Sequence, residues 1–184
     1  MSDKFFTSDT HFGHTNIIRY CNRPFTNREE MGETLIANWN EVVRPNDEVF
    51  HLGDFAFGSG VDGMYARNIL DRLNGRIYLI HGNHEEAASH PAARPSFQWI
   101  RDYYELKVGG QRIVLFHYPM RSWNWVMKGS WHLFGHVHGN LQPFGKSIDI
   151  GVDVMNFRPV SFDELRIIMD KQKQQSEDRG IGPF

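Results

Sequence analysis

A chain of 184 residues with 40% hydrophobic and 23% charged side chains is long enough for one sizeable core, too short for two comfortable ones, and too apolar to stay disordered. Its formal net charge of −2 gives no cationic footprint for duplex nucleic acid, and no apolar run is long enough to cross a bilayer. Cys21 is alone and forms no intramolecular disulfide, and MSDKFFTSDT reaches an aspartate before any stretch could serve as a signal sequence, so a reducing, cytoplasmic location is expected.

In chain order, KFFTSD reads as a strand ending at Asp9. Thr26 or Asn27 then caps a helix, with Glu29 or Glu30 completing a capping box and Met31, Leu35, Trp39 and Val42 spaced as a buried stripe that ends before Pro45. EVFHLGD is a second strand ending at Asp54, with Gly53 in the turn out. DGMYARNILDRLNG predicts a helix with Met64, Ile69, Leu70 and Leu73 on its inner side and Gly75 as its C-terminal cap. GRIYLIHGNH is a third strand, closing at Gly82 just before Asn83 and His84. ELKVGGQRIVLFHYP predicts a hairpin turning at Gly109 and Gly110, with His117 at the exit of its second strand, and WHLFGHVH and SIDIGVDV are two further strands. Ser161 and Glu164 offer a capping box before Leu165, Ile168 and Met169, and the polar residues from about 172 to 184 are expected to fray. No repeat or linker divides the chain, so residues 1–184 are expected to form one domain, an α/β arrangement with polar residues gathered at strand exits.

Those exits carry the chemistry. SDTHFGH sets Asp9 two residues from His11, GDF adds Asp54, GNHE adds Asn83 and His84, His117 follows IVLF, and GHVH supplies His136 and His138. Each fragment alone reads as a turn aspartate, an Asx turn or a core histidine. Five in a row, each after an apolar strand, do not read as coincidence. The complete series, Asp-x-His, Gly-Asp, Gly-Asn-His, His, Gly-His-x-His, resembles the calcineurin-like metallophosphoesterase superfamily from about Asp9 to Asp153. The wording DTHFGHTNI and VDVMNFRPVS is similar to its small single-domain bacterial and phage members.

The resemblance implies two facing mixed β-sheets flanked by helices, a four-layer αββα sandwich. It also implies two divalent metals, one held by Asp9, His11 and His138, the other by Asn83, His117 and His136, with Asp54 bridging. Nitrogen and oxygen donors without thiolate suit Mn²⁺, Fe, Zn²⁺, Co²⁺ or Ni²⁺ better than Ca²⁺; Mn²⁺ is taken first. Two carboxylates leave such a centre with a surplus of positive charge that draws a phosphate ester, and His84, outside the metal shell, is implied as the general acid.

The implied activity is hydrolysis of a small phosphate ester, a diester first and nucleotide-derived compounds among the candidates, with a phosphomonoesterase as the rival. A non-catalytic scaffold of the same fold is disfavoured, because His84 and all seven ligand positions are present. Many family phosphatases have an Asp where this chain has Phe57, and that Asp orients the catalytic histidine; what orients His84 is left open. Arg23, Arg121 and His14 are candidate substrate contacts, as is Arg19. Trp123 and Trp125 could stack on a base but more commonly pack inside, and His51 and His81 are expected in the core.

Overall fold

The computed structural model describes residues 2–172. Four strands, β1 (Lys4–Thr7), β2 (Glu48–His51), β3 (Arg76–Ile80) and β4 (Phe97–Arg101), run parallel. The antiparallel hairpin of β5 (Tyr103–Val108) and β6 (Gln111–Phe116) starts a second sheet that β7 (Trp131–Phe134) and β8 (Ser147–Asp149) extend in parallel. β9 (Val160–Ser161) returns to pair antiparallel with β1, giving the orders β4-β3-β2-β1-β9 and β5-β6-β7-β8. The expected sandwich of two mixed sheets flanked by helices is therefore the fold.

Strand alternation builds two cores from the two faces of the same strands. Phe5, Val49, Ile77 and Leu79 face outward to the helices, where α2 (Arg28–Val42) buries Met31, Leu35 and Trp39 and α3 (Gly63–Leu70) buries Ile69 and Leu70. Phe6, Phe50 and Ile80 face inward to Ile113, Leu115 and Leu133 of the second sheet, and α5 (Phe162–Lys171) adds Leu165 and Met169 to that interior. α1 (Thr15–Tyr20) and the single turn α4 (Glu86–Ser89) lie in the loops leaving β1 and β3. Against the second sheet, Trp123 packs on His132, with ring centroids 5.3 Å apart.

Local signals set the helix starts. The Asn27 side chain accepts from Glu30 N while Glu30 reaches back to Thr26 N, and Ser161 with Glu164 forms the expected capping box. Three details differ from expectation. Met64 is 56% exposed, because the buried face of α3 runs through Ala66, Ile69 and Leu70 from an Asp62 cap. That helix ends at Asp71, and Gly75 instead turns the chain into β3 with φ +96°. Val43 rather than Val42 completes the α2 stripe. The expected fraying beyond residue 172 lies outside the described residues. Among those described, no helix is long and apolar enough to cross a membrane.

Candidate metal centre

Five loops leave the C-terminal ends of β1, β2, β3, β6 and β7 at one edge of the sandwich, and all seven expected ligands sit on them. The first two loops are laced together by backbone bonds, from Asp9 N to Gly53 O, His11 N to Asp54 O and Phe12 N to Phe55 O, each 2.9 Å. Asp9, His11, Asp54, His136 and His138 all take left-handed φ values, from 48° to 71°. Each such residue costs about 1–3 kcal/mol of strain, and it swings successive side chains off the strand alternation toward one volume. Two motif glycines permit the crowding: a Cβ on Gly82 would collide with the Asp54 carboxylate, and one on Gly135 with the carboxylate of Asp9.

The donors converge. Asp9, His11 and His138 offer ligand atoms within 4.8 Å of one another, as do Asp9, Asp54 and His117. Asp54 turns Oδ2 to His11 Nε2 at 3.4 Å and Oδ1 to His117 Nε2 at 3.7 Å. Asn83 Oδ1 contacts His117 Nε2 at 3.1 Å and His136 Nδ1 at 2.8 Å.

These residues fit a divalent cation by their electrostatics. Burial pushes the Asp9 carboxyl up to about 7, and burial lowers His11 well below the usual histidine range. Both His11 ring nitrogens are buried without a hydrogen-bond partner. A buried carboxylate and an unsatisfied neutral imidazole are costly alone and compatible with a shared cation. Burial opposes the charge on His138 too, but the Asp153 hydrogen bond, Cys21 and the Asp9 carboxylate outweigh it and raise His138 to about 10.

Behind the ligands lies a supporting set. His117 Nδ1 donates to Leu52 O at 2.7 Å, which turns Nε2 to the centre. His138 Nδ1 bonds Asp153 Oδ2 at 2.7 Å, and Arg23 grips the same carboxylate through Nε and Nη2, both at 2.8 Å. Its other donors go to Asp9 O, Thr10 O and Met31 Sδ. With every N–H committed and the residue only 4% exposed, Arg23 is not available to a substrate, contrary to expectation. Asp149 accepts from Gly139 N at 2.8 Å, shaping the turn that carries His138. Asp149 and Asp153 were missed as site residues, although SIDIGVDV sets acidic residues at a strand exit like the others. Glu85 was missed too: it accepts from Phe55 N at 3.2 Å, and burial raises it well above the usual carboxyl range.

The cleft in front of the ligands measures about 370 Å³ and is lined by His14 and His84 as expected, with Ile17, Tyr20 and Asn140 as further walls. Arg121 is exposed over the Phe144 ring, outside the cleft lining. Arg19 lies over Tyr20. His51 is buried in the core, but His81 sits past the end of β3 and pairs with exposed Asp102 at 2.8 Å. Trp123 is buried, whereas Trp125 is exposed between Arg112 and Lys128.

Two mixed sheets that deliver carboxylates and imidazoles to one cleft define an α/β sandwich protein with the donor groups to hold a divalent metal. The chain belongs to the calcineurin-like phosphoesterase family, whose profile matches residues 5–128, and is thus a metal-dependent phosphoester hydrolase. It is 39% identical to the uncharacterized protein MJ1445 of Methanocaldococcus jannaschii, over 92% of each chain. The gene 66 protein of Mycobacterium phage L5 is 28% identical over 98% of this chain and 99% of its own. The crystal structure of AQ665 from Aquifex aeolicus, a protein of unknown function, superimposes with a TM-score of 0.72 at 26% identity, covering 91% of this chain and 100% of that one.

Proposed function

We propose that residues 1–184 form one catalytic domain that hydrolyses small phosphodiesters at a binuclear centre. Asp9, His11 and His138 hold one cation and Asn83, His117 and His136 the other. The observation that carries this reading is the placement of Asp54, which faces His11 with one oxygen and His117 with the other. Two divalent cations there, Mn²⁺ first among Fe, Zn²⁺, Co²⁺ and Ni²⁺, would supply Lewis-acid stabilisation of the phosphoryl oxygens and a water of lowered pKa.

The chain's own residues do the rest. His84 lines the cleft without belonging to either ligand set, and it gives a proton to the departing alkoxide. Its backbone N–H donates to Asp54 Oδ1 at 2.9 Å, which ties the acid to the bridging carboxylate. The preference for diesters rests on charge: among the described residues, no Lys or Arg lines the cleft. A monoester dianion brings an additional negative charge that would favour such a cation, whereas a diester monoanion needs none. Nucleotide-derived diesters are within this class, and the expected setting is the cytoplasm.

Matched monoesters and diesters, including bis-p-nitrophenyl phosphate, under several divalent metals test this reading. Turnover of diesters over monoesters is expected, with two metal equivalents by elemental analysis. No turnover with any metal would sink it. Loss of His84 in His84→Ala is expected to slow hydrolysis of an ester with a poor leaving group by about 10²–10⁴-fold while the metals stay bound.

A further inference from the structure

The imidazole of His84 must be held in one orientation to deliver a proton, yet neither of its ring nitrogens has a hydrogen-bond partner among the described residues; its one bond runs from the backbone. What touches the ring is Phe57, with centroids 4.0 Å apart and planes at 36°. The next ring, His11, is 5.8 Å away. Phe57 also meets His14 edge-on at 4.9 Å and 85°.

Phe57 is itself fixed. Its backbone N donates to Phe12 O at 3.1 Å, next to the bridge that pairs Phe12 with Ala56. Phe12 and Phe55 are fully buried and pack ring to ring at 5.2 Å. The segment that presents Phe57 is thus as firmly seated as the loops that carry Asp9 and Asp54.

We propose that Phe57 is a positioning residue that sets the plane of the His84 imidazole by ring contact instead of by a hydrogen bond. An aromatic face restricts rotation about the Cβ–Cγ bond but occupies neither nitrogen. One nitrogen is left to meet the leaving-group oxygen and the other to exchange protons with solvent. A carboxylate in the same place would consume one nitrogen and add negative charge beside Asp54, in a cleft that has to admit an anion. The same ring keeps His14 turned into the cleft, where its Nδ1 is buried without a partner.

The proposal rests on His84 being the proton donor, and two separate readouts distinguish the failure of either idea. In proton NMR, the His84 ring resonances, assigned by their loss in His84→Ala, are expected upfield under the Phe57 ring current. Phe57→Leu should move them downfield and Phe57→Tyr should keep them. Resonances unmoved by Phe57→Leu would overturn the positioning role. In kinetics on the metal-loaded enzyme, Phe57→Leu should lower kcat for methyl phenyl phosphate by about tenfold or more. KM and metal content should stay put, methyl p-nitrophenyl phosphate should be little affected, and Phe57→Tyr should restore the rate. An equal loss on both esters, or lost metal, would mark a structural effect and overturn the proposal. If the resonances shift as expected but His84→Ala shows no dependence on leaving group, the proton-donor reading falls while the ring contact stands.

Discussion

His11 and His132 are both buried, and burial lowers both below the usual histidine range, yet their surroundings differ. His132 lies inside β7 and is satisfied: Nδ1 donates to Val114 O at 3.3 Å, while Nε2 accepts from Met120 N at 3.1 Å. His11 lies just past the end of β1, with both nitrogens unpartnered and two carboxylates nearby. Inside β7 the backbone completes the imidazole of His132; past the end of β1, where the ladder stops, nothing does so for His11. A buried histidine is therefore a candidate ligand when a ring nitrogen faces other metal donors, as His117 Nε2 faces Asp54 and Asn83 while its Nδ1 is held by Leu52 O, and a core residue when neither nitrogen does.

The largest break in this contrast is expected at Asp54, whose two oxygens face His11 and His117. Asp54→Ala should cost more than about 10⁴-fold in turnover, beyond the loss of a single proton donor, and release at least one metal equivalent. Full metal occupancy in that variant, by elemental analysis, would refute its place between the cations.

Next comes the support behind the cleft. Arg23→Met leaves the buried Asp153 carboxylate facing His138 alone, and removing one partner of a buried ion pair costs about 3–5 kcal/mol. Turnover should fall by about 10–100-fold, the usual cost of losing a residue behind a metal ligand. Urea unfolding and metal titration read the two effects. A variant as stable and active as the parent would show that Arg23 does not hold the centre.

Arg23 also shows where sequence reading stops. The cluster of candidate ligands was legible because each motif follows an apolar run, so the strand exit and the side-chain chemistry coincide in the text. The position of Arg23 depends on Asp153, 130 residues away, and nothing local distinguishes an arginine bound for the interior from one at the surface. Phe57 is similar: its meaning lies in the lacing of two loops, which becomes visible only when Phe12 and Ala56 pair. The strands β4 and β9 were absent from the sequence reading, β9 because it has two residues. Met64 had the right spacing for burial, but α3 presents a different face inward.

A smaller effect separates the two histidines directly. His11→Ala should leave the chelator-treated protein within about 1 kcal/mol of the parent, since lost packing is offset by removal of two unsatisfied polar atoms, while metal uptake fails. His132→Ala should do the opposite, lowering stability by about 1–3 kcal/mol because Met120 N–H is left unpaired, with metal uptake retained. Chemical unfolding with and without metal decides the matter, and equal loss of metal in both variants would erase the distinction.

Asp9 in the cleft and the histidines of the core should also titrate with opposite sign in the metal-free protein. Folded His132 is lowered from 6.5 to about 4 by burial, and His51 to about 3. Between those values and 6.5 the unfolded chain binds protons that the folded one refuses, so these residues contribute stability that is present above pH 6.5 and lost as the pH falls. Asp9 runs the other way: burial raises it from 3.8 to about 7. The folded state keeps a proton that the unfolded chain releases, and that stability is lost as the pH rises through 7. Each group contributes a slope of up to about 1.4 kcal/mol per pH unit. From pH 4.5 to 6.5, His132→Ala should therefore shift the slope of stability against pH downward by one proton's worth, and Asp9→Asn should shift it upward by the same amount. Shifts of the same sign in the two variants would mean that the cleft carboxylate is not held protonated by burial, and the electrostatic argument for a cation beside it would lose its support.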